Sequence, residues 1–172
     1  MLLYEDILTG SEMFSDAFPV KETDGMFYEV DCALIIIKEG EVDIGGNPSA
    51  EEQAEALEDG AQQVNNVVHS FRLQPTSFDA KSYKSYMKSY SKALLAKLTE
   101  TDKDAAAEFK KGAQASLNKI LENIKNYEFY TGETHIVEAT GAEGMVALLN
   151  YREDGITPYF TFWKHGLKAV KL

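Results

Sequence analysis

Residues 79–98 read DAKSYKSYMKSYSKALLAKL, and their spacing decides the fold. Tyr83, Tyr86, Met87, Tyr90, Leu94 and Leu98 recur three or four residues apart, which on a helix gathers them along one side. Lys81, Lys84, Lys88 and Lys92 keep the same spacing and form a second stripe beside the first. Ser77 or Asp79 can accept from the first free backbone amides and so start the helix. The polar run 99–104 reads as a connector, with Asp102 or Asp104 capping a second helix. On that helix Phe109, Ala113, Leu117, Ile120, Leu121, Ile124 and Tyr127 repeat the period. Two amphipathic helices with so short a link predict an antiparallel hairpin over 77–127.

Both flanks of the hairpin read as β. Residues 1–38 break into short extended segments: Met26–Val30 follows the turn signal Asp24-Gly25, and Ala33–Ile37 is apolar without alternation, as in a strand covered on both faces. Val67–Leu73 alternates loosely and is expected to be a strand. After the hairpin, Tyr127–Tyr130 and Met145–Tyr151 are expected strands. The latter leads through Asp154-Gly155, a hairpin signal because glycine accepts positive φ, into Ile156–Trp163. His165-Gly166 marks a further tight turn. The fold class is therefore α+β: a twisted antiparallel β body with an inserted α-helical hairpin.

Residues 40–66 stand apart. They hold Glu41, Asp43, Glu51, Glu52, Glu55, Glu58 and Asp59 with no base and no aromatic, too little apolar surface to offset ordering, so a mobile acidic loop is expected. Within it Asn47, Pro48, Ser49 and Glu52 carry helix-start signals, either Pro48 behind Asn47 or a Ser49–Glu52 capping box.

The chain's 172 residues suit one domain, 1–172, and its net charge of −11 is uneven. Residues 1–80 carry −14, residues 81–125 carry +5 and residues 126–172 carry −2. A basic segment in an acidic protein suits an acidic partner, although a solvated helical face has the same spacing. Nucleic acid is not an expected partner, since the molecule as a whole repels phosphate and no arginine cluster occurs. No apolar run approaches the 18 or so residues of a membrane span. The acidic start Met1–Asp6 leaves no signal-peptide core, so a cytoplasmic protein without membrane contact is expected.

Catalytic templates fail. There is no phosphate-binding glycine loop, no H-E-x-x-H and no C-x-x-C. His69, His135 and His165 share no ligand spacing and read as surface or strand histidines. The lone Cys32, beside Asp31 and an apolar run, reads as a buried structural thiol. No EF-hand loop is present. Asp102 with Asp104, or Glu51, Glu52 and Glu55, could share a hydrated calcium ion weakly, and no other cofactor is expected. The residues point to a binding protein, not an enzyme.

Several stretches in order resemble the translationally controlled tumour protein family. They are Leu3–Ile7 and Glu12–Asp16; the run Ile44, Gly45, Gly46, Asn47, Pro48, Ser49, Ala50 and Glu51; Tyr127–Glu133, ending in Gly132 and Glu133; Gly144–Tyr159; and His165–Leu167. The resemblance implies a β tent like that of Rab-binding exchange-factor chaperones, without their zinc cysteines, and with a helical hairpin and an acidic loop. It implies a cytoplasmic, in part cytoskeleton-associated, interaction protein linked to growth and translation. The implied partners are microtubules, elongation factors and the ribosome, a Rheb-like small GTPase and weakly bound calcium. Glu12 is the GTPase-facing position, the hairpin lysines are the tubulin-facing ones, and Ser49 is the position of a polo-kinase phosphorylation. A second reading makes the protein a guanine nucleotide exchange factor for the GTPase. Thr134–Glu143 is longer than the usual spacer. The resemblance is to a fungal or other lower-eukaryote member, and Leu172 stands where animal members commonly have cysteine, so no disulfide through that position is expected.

Overall fold

The expected hairpin forms, and its joint is a single residue. A computed structural model describes residues 1–38, 41–43 and 62–171. Helix α2 runs Ala80–Thr101 and helix α3 runs Lys103–Glu122. Of the two possible starts for α2 the cap is Asp79, whose side chain accepts from the Ser82 amide at 2.7 Å while the Ser82 hydroxyl accepts from the Asp79 amide at 2.9 Å. Asp102 serves both helices: its amide donates to the Leu98 carbonyl at 2.7 Å, and its carboxylate accepts from the Ala105 amide at 3.2 Å. A 3₁₀ turn at Ile124–Asn126 ends the unit.

Strands β1 (Leu2–Asp6), β2 (Glu12–Ser15) and a final strand, Leu167–Lys171, form one antiparallel sheet. A six-stranded antiparallel sheet follows the order β3 (Val20–Thr23), β4 (Phe27–Asp31), β11 (Pro158–Trp163), β10 (Val146–Tyr151), β9 (Glu128–Thr131) and β8 (Gln74–Thr76). A third sheet orders β6 (Glu41–Asp43), β5 (Leu34–Lys38) and β7 (Gln62–Asn65); the final strand is β12. The Asp154-Gly155 signal is used as expected, with Gly155 at φ 71° in the β10–β11 hairpin. Arg152, at the end of that hairpin, reaches Asp31 at 2.7 Å, bonds Glu29 and lies 3.9 Å over the Tyr159 ring, which pins the hairpin to β4.

All six apolar positions of the α2 stripe are buried. Tyr83 faces the six-stranded sheet: it lies 5.8 Å from Phe129 and accepts from the Trp163 indole at 3.4 Å, and Phe109 of α3 meets Trp163 edge-on at 5.8 Å. A second aromatic group, Tyr4, Phe14, Tyr28 and Phe162, joins the β1–β2 sheet to the same core. Truncating Phe14, Phe109, Phe162 or Trp163, all of them fully buried, to alanine would cost roughly 3–5 kcal/mol. No helix among the described residues is long and apolar enough to cross a membrane.

Three expectations differ from the structure. Val67–Leu73 is not a strand: Asn66–Phe71 is a short helix, α1, because Asn65 accepts from the Val67 and Val68 amides at 2.9 and 3.2 Å and so supplies the N-terminal cap. The segment 40–66 is not loop at its ends, where Glu41–Asp43 and Gln62–Asn65 both pair with β5. Its middle, with the helix-start signals at Asn47–Glu52, lies outside the described residues. His165 is not a surface or strand histidine: it sits buried in a 3₁₀ turn, Lys164–Gly166, with Nε2 3.0 Å from Glu108.

Candidate functional site

An open polar cleft of about 470 Å³ forms where three segments remote in sequence meet. Thr9–Glu12 comes from the β1–β2 turn, Ser70–Arg72 from the end of α1, and Glu133 and Thr134 from the exit of β9.

The floor of the cleft is held by backbone bonds that the local sequence dictates. The Asp6 amide donates to the Ser11 carbonyl at 2.8 Å, and Gly10, at φ 78°, donates back to the Asp6 carbonyl at 2.8 Å. Asp6 itself is buried; its carboxylate accepts from the Leu8 amide at 2.9 Å and from the Met145 amide at 2.7 Å. Ser11 ties this turn to the far segment: its hydroxyl donates to the Thr134 carbonyl at 2.6 Å and accepts from the Thr134 amide at 3.0 Å. The two strands of chain come so close here that a Cβ on Gly132 would lie 2.6 Å from Ser11 Cβ, so only glycine fits.

Glu12 opens β2 and is exposed at the rim. Arg72 ends α1 at φ 55°, ψ 41°, in the left-handed region, where its amide donates to the Val68 carbonyl. Glycine takes this conformation freely; an arginine there costs about 1 kcal/mol. Its guanidinium lies 3.3 Å from Glu133, with the two side chains 74% and 61% exposed. A pair so open to water stabilises by only about 0.2–1 kcal/mol, which does no more than balance the backbone cost. The cleft lining thus carries two carboxylates and one guanidinium. Among the described residues it holds no histidine, cysteine or lysine, and its buried serine is already committed to Thr134.

Of the residues expected from sequence, Glu12, Gly132 and Glu133 come together here. Lys81, Lys84, Lys88 and Lys92 do not join them: all four are exposed on α2, and none enters an ion pair among the described residues. Ile44–Glu51, with Ser49, lies outside the described residues. No group of three His, Cys, Asp or Glu side chains that could hold a metal ion occurs among the described residues, and Asp102 is engaged as a helix cap. Cys32 is buried, and burial pushes its thiol up to about 12. His135 is half-buried and, chiefly by desolvation, held below its ordinary value. Arg72, Ser11 and Thr134 escaped the sequence reading. Arg72 is one of only two arginines in the chain, and the other, Arg152, also pins two elements together; that rarity was the available signal.

A sequence profile described as translationally controlled tumour protein matches residues 1–168. A translationally-controlled tumor protein homolog of Candida albicans is 54% identical over 172 residues, covering all of both chains. A homolog from Mycosarcoma maydis is likewise 54% identical over 172 residues, again covering all of both chains. Among solved structures, the translationally controlled tumor-associated protein p23fyp of Schizosaccharomyces pombe superposes with a TM-score of 0.78 at 50% identity, covering all of each chain. The translationally-controlled tumor protein of Caenorhabditis elegans does so with a TM-score of 0.70 at 33% identity, covering 100% of this chain and 99% of that one. With sequence and fold agreeing over their whole length, this chain belongs to the translationally controlled tumour protein family.

Proposed function

We propose that the chain is a non-enzymatic cytoplasmic docking protein with two separate faces. The cleft around Glu12 takes a small GTPase of the Rheb type or a translation factor, and the lysine stripe of α2 takes the acidic surface of tubulin. The observation that carries the first face is the convergence of Glu12, Arg72 and Glu133 on one cleft that, among the described residues, offers charge but no nucleophile and base together. Charge arranged in this way selects partners and speeds encounter. The second face rests on four exposed lysines spaced along a 22-residue helix.

Affinity capture from native lysate with the unaltered protein beside a Glu12→Val variant tests the cleft. GTPase and elongation-factor capture lost in the variant supports the assignment; identical captures overturn it. A second reading, that docking at Glu12 speeds nucleotide exchange, rests on the same residue. Release of mant-GDP under catalytic amounts of protein distinguishes exchange from simple binding, which gives no turnover. Weak calcium binding is proposed for the acidic stretch containing Glu51, Glu52 and Glu55, and calorimetry at physiological magnesium that shows no heat removes it.

A further inference from the structure

Arg72 occupies the very carboxylate that a basic partner would want. Among the described residues it is the one cation lining the docking cleft, it is bound to Glu133 across 61 positions of sequence, and it is held in a left-handed backbone conformation that glycine would adopt more easily. The pair does not lock the fold: both side chains stand mostly in water, and the segments it links are already tied by Ser11 and Thr134. Its effect therefore falls on the cleft. With Arg72 seated, the lining carries a net charge of −1 and Glu133 is half neutralised; with Arg72 swung away, Glu12 and Glu133 present two unshielded carboxylates flanked by the Thr9 and Ser70 hydroxyls.

We infer that Arg72 is an internal competitor: its guanidinium holds the place that a lysine or arginine of the docked protein takes, and docking requires Arg72 to release Glu133. This inference rests on the reading of the Glu12 cleft as a GTPase-docking site. It makes Arg72 a threshold, since every cationic partner must first outcompete the Arg72–Glu133 pair before it docks. Arginine suits this role, because its planar donor set can hold a carboxylate at the surface without burial.

The sign of the effect is the test. A recombinant Rheb-like GTPase, loaded with mant-GDP, is titrated against the full chain and five variants, and Kd is read by fluorescence anisotropy at low and at 0.5 M salt. Arg72→Gln, which frees Glu133, is expected to tighten binding by about two- to fivefold, the reach of an exposed ion pair. Arg72→Gly, which also relieves the backbone, is expected to do the same. Glu133→Gln is expected to weaken binding, and Arg72→Gln with Glu133→Gln together to match Glu133→Gln alone. High salt should erase the difference. Weaker or unchanged binding in both Arg72 variants, while Glu12→Gln still abolishes it, overturns the competitor and leaves the docking site standing. Unchanged binding in Glu12→Gln overturns the docking site itself.

Discussion

The Tyr86 hydroxyl, carried on the sheet-facing side of α2, donates to the Gly144 carbonyl at 2.7 Å across 58 positions of sequence. The same oxygen accepts from the Val146 amide at 3.0 Å, so one side chain satisfies two buried backbone groups at the start of β10. Tyr86→Phe keeps the ring and removes both bonds. It should cost about 2 kcal/mol and lower Tm by roughly 4–8 °C in a chain of this size. A thermal melt that matches the unaltered protein would mean that the bridge carries no weight.

Tyr90, one turn further along α2, has the opposite character. Its hydroxyl is fully buried with no hydrogen-bond partner among the described residues. A Cβ on Gly166 would overlap that oxygen and sit 2.5 Å from the Met145 methyl. Tyr90→Phe should therefore be neutral or stabilising by up to about 1 kcal/mol, since it removes an uncompensated polar atom. Gly166→Ala should be destabilising alone and measurably less so in the Tyr90→Phe background. Urea titration of the two single variants and the double variant gives the coupling directly, and strictly additive effects would refute it.

High pH should unfold the protein before it degrades it. Burial pushes the Cys32 thiol up to about 12 from an ordinary 9.0, and burial likewise raises the hydroxyls of Tyr83, Tyr86 and Tyr90. The fold thus favours the neutral form of all four, while the unfolded chain gives up these protons at lower pH. The stabilisation is complete below about pH 9 and falls as pH climbs from there. Urea midpoints measured from pH 8 to pH 11 should decline steadily, and a flat profile would contradict the burial. At pH 8 a thiol-specific disulfide reagent should leave Cys32 unmodified until urea is added.

The lysine stripe gives a prediction that leaves the fold untouched. Lys84, Lys88 and Lys92 project from α2 into solvent, so replacing all three by glutamate should alter thermal stability little. Microtubule co-sedimentation should fall at least several-fold, and binding by the unaltered protein should weaken with added salt. Co-sedimentation that survives the triple replacement assigns tubulin to another surface.

The legibility of the fold in the sequence follows physical lines. The α2 stripe was readable to the residue, because six large apolar side chains keep helical spacing across about four turns and no strand pattern competes. The β10–β11 hairpin was readable because Asp154-Gly155 favours one backbone geometry. Helix α1 was not: six residues are too few to show a period, and Val67-Val68 suggest a strand by side-chain shape. What decided it was the Asn65 cap, whose meaning depends on which amides stand free. Glu12, Gly132 and Glu133 were identified by resemblance, and the residues that complete their cleft were not. Arg72 meets Glu133, and Ser11 meets Thr134, only through pairings more than 60 positions apart, which no local pattern records. His165 was missed for the same reason, since its burial depends on Glu108 and Phe109 of a distant helix.

The joint at Asp102 bears on how any load on the hairpin is carried. With one residue capping the helices on either side, there is no slack for a hinge, and α2 cannot tilt without turning α3 with it. The corner is a bracket: whatever grips the lysines bears on Trp163 of the six-stranded sheet from both helices, through Tyr83 of α2 and Phe109 of α3.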